Sequence, residues 1–400
     1  MLTYCHCKPC ASMKILHVVS SYLPAYRHGG PIWSVHNLNK WLVKKGVDVT
    51  VYTTNASLKK ESDLLLGKEV KIDGVKVIYF PSYGYIHFTF SSAIFFALKK
   101  NIKNFDVIHT TGLWNFPIWA AAFWAKRHGK PYIISPRGSL MEIPLTKRSF
   151  LKKIHLTLLS KNILRKAALI HFTMEEEKED YFSAEYPFFK TAVIFNGIDM
   201  DTSDVQRLNF RKKFNIPEKK KIVLFLGRLT WIKGFDTLIP AFAKVIKKES
   251  RAVLVLAGPN DEDYKKEIEK LIEKYEIDRN KIIFTGMILG DDKISVLQDS
   301  DVFVLPSYSE NFGMAVIEAM YFRLPVVITK NVGVASYIEH GKAGLVVEKN
   351  VEEIATAIMQ ILDNKKFAQE IGEKGRNVVE DKFTMPKIAE KWIKAYNELT

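Results

Sequence analysis

One stretch of this chain decides the fold: Val302-Phe-Val-Leu-Pro-Ser-Tyr-Ser-Glu-Asn-Phe-Gly-Met-Ala-Val-Ile-Glu-Ala-Met-Tyr321. Its first four residues are apolar and predict a buried parallel strand, which Pro306 ends. A polar loop follows, and apolar residues at helical spacing predict a helix from about Met314. In open α/β sheets, ligands bind where strands end and where the next helix offers unpaired N–H groups to an anion. The sequence therefore predicts a ligand site at this junction.

Two carboxylates flank the predicted turn, Glu310 in the loop and Glu318 on the helix. If both lay on one helix, they would stand roughly 12 Å apart along its axis. Carboxylates repel phosphate at close range, so hydroxyl groups are their natural partners. A ligand with hydroxyls at both ends and phosphates between them is a nucleotide sugar. The spacing alone is weak evidence, because paired acids are common on ordinary surface helices.

The Glu-x7-Glu spacing, preceded by Pro-Ser and followed by a helix, resembles the signature of the retaining nucleotide-sugar glycosyltransferases of family 4. The resemblance covers residues 13–400 and implies the α/β class with the GT-B fold. In that fold two Rossmann-like, doubly wound domains face a central cleft, and a C-terminal helix crosses back to the first domain. The resemblance implies that Glu310 binds donor-sugar hydroxyls and Glu318 ribose hydroxyls. It implies further donor contacts from Asn311, Phe312, Gly313 and Met314.

Length and charge divide the chain into two parts. Its 400 residues suffice for two domains with separate cores. We predict an acceptor-binding domain at 13–198, joined by 386–400, and a nucleotide-sugar-binding domain at 199–385. Residues 1–200 carry 27 Lys and Arg against 14 Asp and Glu, whereas residues 201–400 carry 32 against 30. The basic first half indicates an acidic partner such as an anionic membrane, a lipid-linked phosphate or nucleic acid, with a merely solvated surface as the alternative.

Three cysteines and one histidine lie close together near the N-terminus, and such residues can bind a metal ion. Cys5, His6, Cys7 and Cys10 are crowded together and lack the paired spacing of zinc sites. We expect residues 1–12 to be a disordered extension or an upstream start, with metal binding as the alternative. The rest of the chain contains no cysteine, so its folding needs no oxidising compartment. We find no signal-peptide pattern and no apolar run of about 18 residues, and we therefore predict a cytoplasmic protein, peripheral on the inner face of the membrane.

A cationic loop follows the predicted strand at 221–226. It reads Gly227-Arg-Leu-Thr-Trp-Ile-Lys-Gly234, and both Arg228 and Lys233 can reach a phosphate at the strand end. The loop resembles the Gly-Arg-Leu…Lys-Gly diphosphate site of the family. By the same resemblance, the strand end at Gly286 contributes to the pocket for the base.

Three loops of the first half are candidate ligand contacts. Gly29 and Gly30 let the backbone approach a ligand; a plain turn is the alternative, and the resemblance places this loop opposite the donor phosphate. His109 at a strand end could orient an acceptor hydroxyl, or be a hydrogen-bonded strand residue. Arg137 could hold a phosphate or carboxylate of the acceptor. Where many family members carry a second histidine, this chain has Thr111.

Residues 147–166 interleave basic and apolar side chains at helical spacing. Such a helix can lie on anionic lipid, although a core-facing helix with a solvated basic face is the alternative. The aromatic-rich stretch 83–98 could add to this surface, although such a stripe is more often core. Its phenylalanines are Phe88, Phe90, Phe95 and Phe96.

The sequence thus predicts a retaining, metal-independent glycosyltransferase without cofactor. Its donor is a UDP-, GDP- or ADP-sugar and its acceptor a glycan or lipid-linked saccharide, as in cell-surface polysaccharide or lipopolysaccharide synthesis. The predicted catalytic residues are Glu310, Arg228, Lys233 and His109. The alternatives are a sugar-nucleotide epimerase or hydrolase on the same fold, a silent scaffold, and a basic nucleic-acid-binding protein. The last would leave the two glutamates unexplained, and no nucleic-acid reader motif is present.

Overall fold

The computed structural model describes residues 12–25, 30–56, 58, 65–83, 89–139, 161–183, 190–199, 209–261 and 263–400. The chain forms two compact units: the first unit, 1–194 with 385–400, and the second unit, 195–384. Each is built on its own mainly parallel sheet covered by helices. The predicted α/β class with two doubly wound domains is confirmed.

The first unit contains these strands and helices: β1 (Lys14–Val19), α1 (Gly30–Lys44), β2 (Asp48–Thr54), β3 (Glu69–Ile72), β4 (Val75–Phe80), α2 (Ser92–Asn101), β5 (Val107–Thr111), α3 (Phe116–Arg127), β6 (Tyr132–Ser135), α4 (Lys161–Arg165), β7 (Leu169–Phe172), α5 (Glu175–Ser183) and β8 (Thr191–Val193).

The sheet of the first unit has the order β3-β4-β2-β1-β5-β6-β7-β8. Its strands pair in parallel except for β3, which runs antiparallel to β4 at the edge. We did not predict β3, because its four residues are all at least partly exposed and give no apolar run. After β1, strands are added on one side (β2, β4), and from β5 onward on the other. This switch point lies between β1 and β5, where doubly wound sheets bind ligands.

The second unit contains these elements: α6 (Phe210–Lys213), β9 (Lys221–Leu226), α7 (Phe235–Lys248), β10 (Ala252–Ala257), α8 (Lys265–Lys274), β11 (Ile282–Gly286), α9 (Gly290–Asp299), β12 (Val302–Leu305), α10 (Met314–Tyr321), β13 (Val326–Thr329), α11 (Ala335–Gly341), β14 (Leu345–Val347), α12 (Val351–Asp363) and α13 (Lys365–Lys382). The last helix, α14 (Met385–Asn397), belongs to the first unit.

The sheet of the second unit has the order β11-β10-β9-β12-β13-β14 and is parallel throughout. Strands β10 and β12 are apolar and fully buried, as expected for strands covered by helices on both faces. The switch point of this sheet lies between β9 and β12. The quoted stretch therefore forms the central strand β12, its carboxyl-end loop and helix α10.

Helix α14 packs into the first unit through a buried face. Ile388, Trp392 and Tyr396 are almost fully buried. At its surface, Lys45 makes an ion pair with Glu390 at 2.7 Å. The chain thus leaves the first unit after Ile194 and returns to it at Met385, as the predicted crossing of the C-terminal helix requires.

Several predictions fall on residues outside the described ranges. These are the cysteine-rich N-terminus, Gly29, Phe88, and the basic segment 147–166 up to residue 160. Among the described helices, none is both long and apolar enough to cross a membrane.

Candidate active site

Most of the residues that were predicted to bind the donor lie near the switch point of the second unit. The loop after β9 carries Arg228 and Lys233, and the loop after β12 carries Glu310. Ligands of doubly wound sheets bind at the carboxyl ends of the strands beside the switch point. The topology therefore places these charged side chains where a ligand is expected.

The two loops are held together by their backbones. The Tyr308 amide donates a hydrogen bond to the Ile232 carbonyl at 2.8 Å. Gly234 has a φ of +75°, and a Cβ built on it would stand 2.0 Å from the carbonyl oxygen of Pro306. Only glycine allows this approach. The loop after β9 and the loop after β12 are therefore in close contact and together form one surface, called the platform below.

Lys233 and Glu310 meet on this platform. The Lys233 ammonium makes an ion pair with the Glu310 carboxylate, and the two side chains are 13% and 25% exposed. The backbone of Glu310 is fixed on both sides, because its amide donates to Asn331 (3.0 Å) and its carbonyl accepts from Gly333 (2.8 Å). Two of the predicted catalytic side chains are thus in direct contact.

Arg228 has a different partner. Its guanidinium makes an ion pair with Asp261 at 2.7 Å, and both side chains are nearly half exposed. The pair is held by backbone contact between the loops after β9 and β10, where the Leu229 amide donates to the Pro259 carbonyl at 2.9 Å. Exposed ion pairs contribute little stability. An incoming phosphate can therefore take over this guanidinium at small cost.

Glu318 lies on α10 and is paired with a residue that we did not predict. The Lys293 ammonium of α9 is 2.9 Å from Glu318 Oε1, and the side chains are 22% and 15% exposed. The ion pair holds the Glu318 carboxylate in one orientation. Two hydroxyls on adjacent carbons, as in ribose, are a suitable ligand for a carboxylate held in this way.

Four further residues that were predicted to contact the donor lie where the loop after β12 enters α10. Gly313 has a φ of +99°, and a Cβ there would be 2.9 Å from Val332 Cγ1, so glycine is required. Asn311 and Met314 are partly exposed. Phe312 is buried, with its ring packed edge-on against Phe383; its predicted donor contact is thereby restricted to the backbone. Gly286 is exposed at the end of β11, with a φ of +68°.

In the first unit, His109 is a buried structural residue. Its ring is fully buried, stacks on His17 at 4.2 Å between centroids, and lies 4.5 Å from Trp392. Both ring nitrogens have protein partners, Tyr396 and Ser135, each at 2.8 Å. The geometry therefore corrects our prediction for His109: no ring atom is left to orient an acceptor hydroxyl, and the alternative of a hydrogen-bonded strand residue describes it.

The partners of His109 and His171 fix the direction of a hydrogen-bond chain. His171 Nε2 faces the carbonyl of Ile194 at 2.8 Å and must donate, so Nδ1 of the neutral ring accepts from Ser135 Oγ at 2.7 Å. Ser135 Oγ in turn accepts from His109 Nε2, and His109 Nδ1 accepts from the Tyr396 hydroxyl. The chain connects α14 to Ile194, the last residue of the first unit before the crossing.

A second chain ends at Thr111, which stands where the resembled family carries a histidine. His17 Nδ1 donates to the Asn39 side-chain oxygen at 2.8 Å, so Nε2 of the neutral ring accepts from the Thr111 hydroxyl at 2.8 Å. Thr111 therefore uses its hydroxyl proton in the hydrogen bond to His17. Thr111 is partly exposed at the carboxyl end of β5, and its oxygen can still accept a hydrogen bond.

Burial keeps the three stacked or linked histidines neutral. Desolvation lowers the pKa of His17 to about 4, an effect that the hydrogen bond to Asn39 opposes and the charge of Arg137 reinforces. Desolvation also lowers the pKa values of His109 and His171 well below the usual range, with a further contribution from Arg137. These shifts agree with the neutral tautomers assigned from their hydrogen bonds.

Arg137 remains a candidate contact at the end of β6. Its φ of +56° is left-handed, and it is partly exposed. Burial lowers the pKa of its guanidinium to about 10, so it is charged at neutral pH. Gly30, the only described member of the Gly-Gly pair, is the first residue of α1 beside the switch point of the first unit. Among the described residues, no group of three or more His, Cys, Asp or Glu is arranged to hold a metal ion.

Two family models match most of this chain. The model described as Glycosyltransferase Family 4 matches residues 28–202, and the one described as Glycosyl transferases group 1 matches residues 206–378. The chain belongs to glycosyltransferase family 4. The recognition made from the Glu310 and Glu318 stretch is confirmed at the level of the family.

Two curated relatives align with this chain over about half of their own length. It is 32% identical to an uncharacterized glycosyltransferase of Methanocaldococcus jannaschii over 56% of this chain and 57% of that protein. It is 29% identical to a poly(ribitol-phosphate) α-N-acetylglucosaminyltransferase of Staphylococcus aureus over 58% of this chain and 51% of that protein.

Solved structures confirm the fold of this chain. HepE of Anabaena, in complex with UDP-glucose, superposes with a TM-score of 0.75 at 19% identity, over 97% of this chain and 100% of that one. The GT-B fold predicted from the sequence is therefore confirmed.

Two ion-pair partners at this site, Lys293 and Asp261, were not predicted from the sequence. Each is far in sequence from the charge that it pairs with, and no spacing rule connects them. His17 was also missed, although its place on β1 beside the switch point would have been a signal. Isolated polar residues in buried parallel strands need hydrogen-bond partners.

Proposed function

We propose that the protein transfers a sugar from a nucleoside diphosphate donor to a glycan or lipid-linked saccharide, with retention of anomeric configuration. The Lys233–Glu310 ion pair on the platform beside β9 and β12 is the observation that carries the proposal. It offers one cation for a diphosphate and one carboxylate for sugar hydroxyls. A hydrolase or epimerase on this fold would use the same donor site, so the two differ in product and not in this geometry.

The ion pair suggests how donor binding begins. The diphosphate carries more negative charge than Glu310 and attracts the Lys233 ammonium, and the freed carboxylate then accepts hydrogen bonds from sugar hydroxyls. Arg228 exchanges Asp261 for phosphate oxygens in the same way, with its planar fork suited to bidentate contact. Glu318, oriented by Lys293, receives the ribose hydroxyls.

The chemical step needs charge stabilisation at the leaving group. The bond between the anomeric carbon and the β-phosphate oxygen breaks, and its electron pair goes to that oxygen. The acceptor hydroxyl forms the new bond on the same face and gives its proton to the departing phosphate. Lys233 and Arg228 stabilise the charge that develops on the diphosphate. A double displacement would instead need a nucleophilic carboxylate about 5 Å from a second acid, and we assign no residue to that role.

We further propose that this transfer requires no metal ion. Metals commonly neutralise the diphosphate in phosphate chemistry, and here two side-chain cations occupy the loop after β9. The donor itself is proposed to be a UDP-sugar, because HepE was solved with UDP-glucose; GDP- and ADP-sugars are the alternatives.

The acceptor and location complete the proposal. The relative from Staphylococcus aureus acts, by its name, on poly(ribitol-phosphate), an anionic polymer. The basic first half of this chain fits an acceptor of that charge, and Arg137 is our candidate contact for its phosphate. We propose a role in cell-surface polysaccharide synthesis, peripheral on the cytoplasmic face of the membrane.

A donor screen tests the proposed function. Thermal stability is measured with UDP-, GDP- and ADP-sugars, and the sugar that stabilises the protein is then incubated with lipid and polysaccharide acceptor fractions. Transfer of labelled sugar to an acceptor, with nucleotide release that depends on that acceptor, supports the proposal. Release of free sugar at the same rate without acceptor identifies a hydrolase, and recovery of an isomerised sugar nucleotide identifies an epimerase.

A further inference from the structure

Helices α2 and α3 carry the same five-residue pattern on their exposed faces. The pattern is Phe96-Ala-Leu-Lys-Lys100 in α2 and Phe123-Trp-Ala-Lys-Arg127 in α3. In a helix, positions three and four residues apart lie on one face, so each phenylalanine is next to its two cations. Phe96 is 63% exposed and Phe123 is 54% exposed. Large aromatic side chains are seldom left this open in adjacent helices without a partner.

A layer of aromatic rings beneath the exposed pair keeps it in place. The partly buried Phe95 stacks on Phe123 at 6.2 Å between centroids and contacts Phe96 at 5.7 Å. Trp124 lies 5.2 Å from Phe95 and fills the space between the helices. The exposed rings are therefore presented by a fixed surface.

The cations of this surface have no acidic partners. Elsewhere in the first unit, lysines make ion pairs, as Lys45, Lys76, Lys178 and Lys190 do. Among the described residues, none makes an ion pair with Lys99, Lys100, Lys126 or Arg127. The sequence explains the difference, because Asp106 is the only carboxylate between residues 74 and 141.

A short neighbouring helix extends the positive charge. Helix α4 packs against α3 and ends in the exposed Arg165, followed by the exposed Lys166. The amine of Lys166 is close enough to that of Lys126 to lower the pKa of Lys166, and Arg165 adds to the effect. The repulsion between neighbouring cations that have no carboxylate partners is reduced when an anion binds to them.

We propose that this surface, formed by Phe96 and Phe123 with the cations of α2, α3 and α4, docks on an anionic lipid bilayer. The two rings enter the interfacial region, and the flanking ammonium groups stay at the level of the headgroup phosphates. A second copy of the chain would bring the same positive charge against it. Duplex nucleic acid offers phosphates but no apolar layer for two phenylalanines.

Sedimentation with sucrose-loaded vesicles tests the proposal. The full chain is mixed with vesicles of phosphatidylcholine alone or of an equimolar mixture with phosphatidylglycerol. We expect binding to the anionic vesicles, weakened by salt. Phe96→Ser with Phe123→Ser should reduce the partition coefficient by about tenfold or more, and Lys100→Gln with Lys126→Gln by about fivefold for each cation.

Matched controls come from the second unit. Tyr275 is an exposed aromatic residue, and Lys266 and Lys270 are exposed, ion-paired lysines of α8. Tyr275→Ser and the corresponding double Gln variant should bind vesicles as the unaltered protein does. All four variants change exposed side chains, and circular dichroism verifies that each is folded.

Three results would overturn the proposal. The first is no binding to anionic vesicles, and the second is equal loss in the control variants. The third is binding to single-stranded DNA but not to vesicles, which would assign the surface to nucleic acid. The inference rests on the peripheral membrane location in the proposed function and adds the surface that mediates it. Sugar transfer is tested separately, because nucleotide-sugar binding by the Phe96→Ser, Phe123→Ser variant should remain unchanged.

Discussion

The buried histidines make the first unit sensitive to mild acid, and the effect can be worked out. An exposed histidine in the unfolded chain has a pKa of about 6.5, whereas burial lowers the pKa of His17 to about 4 and those of His109 and His171 well below 6.5. The unfolded state therefore binds more protons below pH 6.5. The stability due to the neutral rings is complete above that pH and is lost progressively toward pH 4.

Each histidine should cost about 2 kcal/mol of unfolding free energy between pH 7 and pH 5, by the linkage of protonation to folding. All three together give an upper value of about 6 kcal/mol. Six of the seven tryptophans lie in the first unit. Urea unfolding followed by tryptophan fluorescence therefore reports mainly on that unit.

A variant separates this effect from general acid sensitivity. In His17→Gln, the amide can still accept from Thr111 and donate to Asn39, but it does not titrate. Its loss of stability between pH 7 and pH 5 should be smaller than that of the unaltered protein by about 2 kcal/mol. The exposed His128→Gln should leave the pH dependence unchanged. If His17→Gln keeps the full pH dependence, or if stability does not change between these pH values, the buried rings are not the source of the acid sensitivity.

Four further predictions concern the proposed donor site. Lys233→Ala should lower the transfer rate by about 100-fold or more, in the range of a preorganised charge donor, whereas normal turnover would remove Lys233 from the site. Gly234→Ala should reduce both the donor affinity and the stability of the protein, because the added Cβ would clash with the Pro306 carbonyl. If calorimetry finds both quantities unchanged, the contact between the two loops is not needed for the donor site. Lys293→Met should raise KM for the donor and leave kcat nearly unchanged, since it orients Glu318; a loss confined to kcat argues against that role. Transfer should persist in excess chelator, and restoration by a divalent ion after its loss would overturn metal independence.

Local patterns sufficed for the strand, loop and helix of the quoted stretch. Apolar β12, the stop at Pro306 and the glycine before α10 follow one another in the chain, so periodicity and backbone chemistry define them. The charged pairs depend on packing. Lys293 meets Glu318 only because the tertiary structure brings α9, which precedes β12, close to α10, which follows β12. Nothing in the sequences of the two helices determines which of their charges will meet.

The role of His109 also depends on tertiary packing that local sequence patterns do not reveal. A polar residue at a strand end indicated a ligand contact, but the ring points into a core closed by Tyr396, 287 residues later. The direction of a strand side chain is fixed by the sheet and by what covers it. Sequence reasoning located the carboxyl ends of the strands correctly and could not tell which of their polar groups face solvent.

Calorimetric titration of UDP shows whether Lys233 binds the diphosphate of the donor, with the unaltered protein, Lys233→Met and Glu310→Gln compared side by side. Lys233→Met should weaken UDP binding by at least about tenfold. Glu310→Gln should bind UDP as well as or better than the unaltered protein, because the carboxylate that competes for Lys233 is gone, yet it should fail to transfer sugar. Equal UDP affinity in the unaltered protein and Lys233→Met, or no binding of UDP, GDP or ADP at all, would show that the platform is not the donor site.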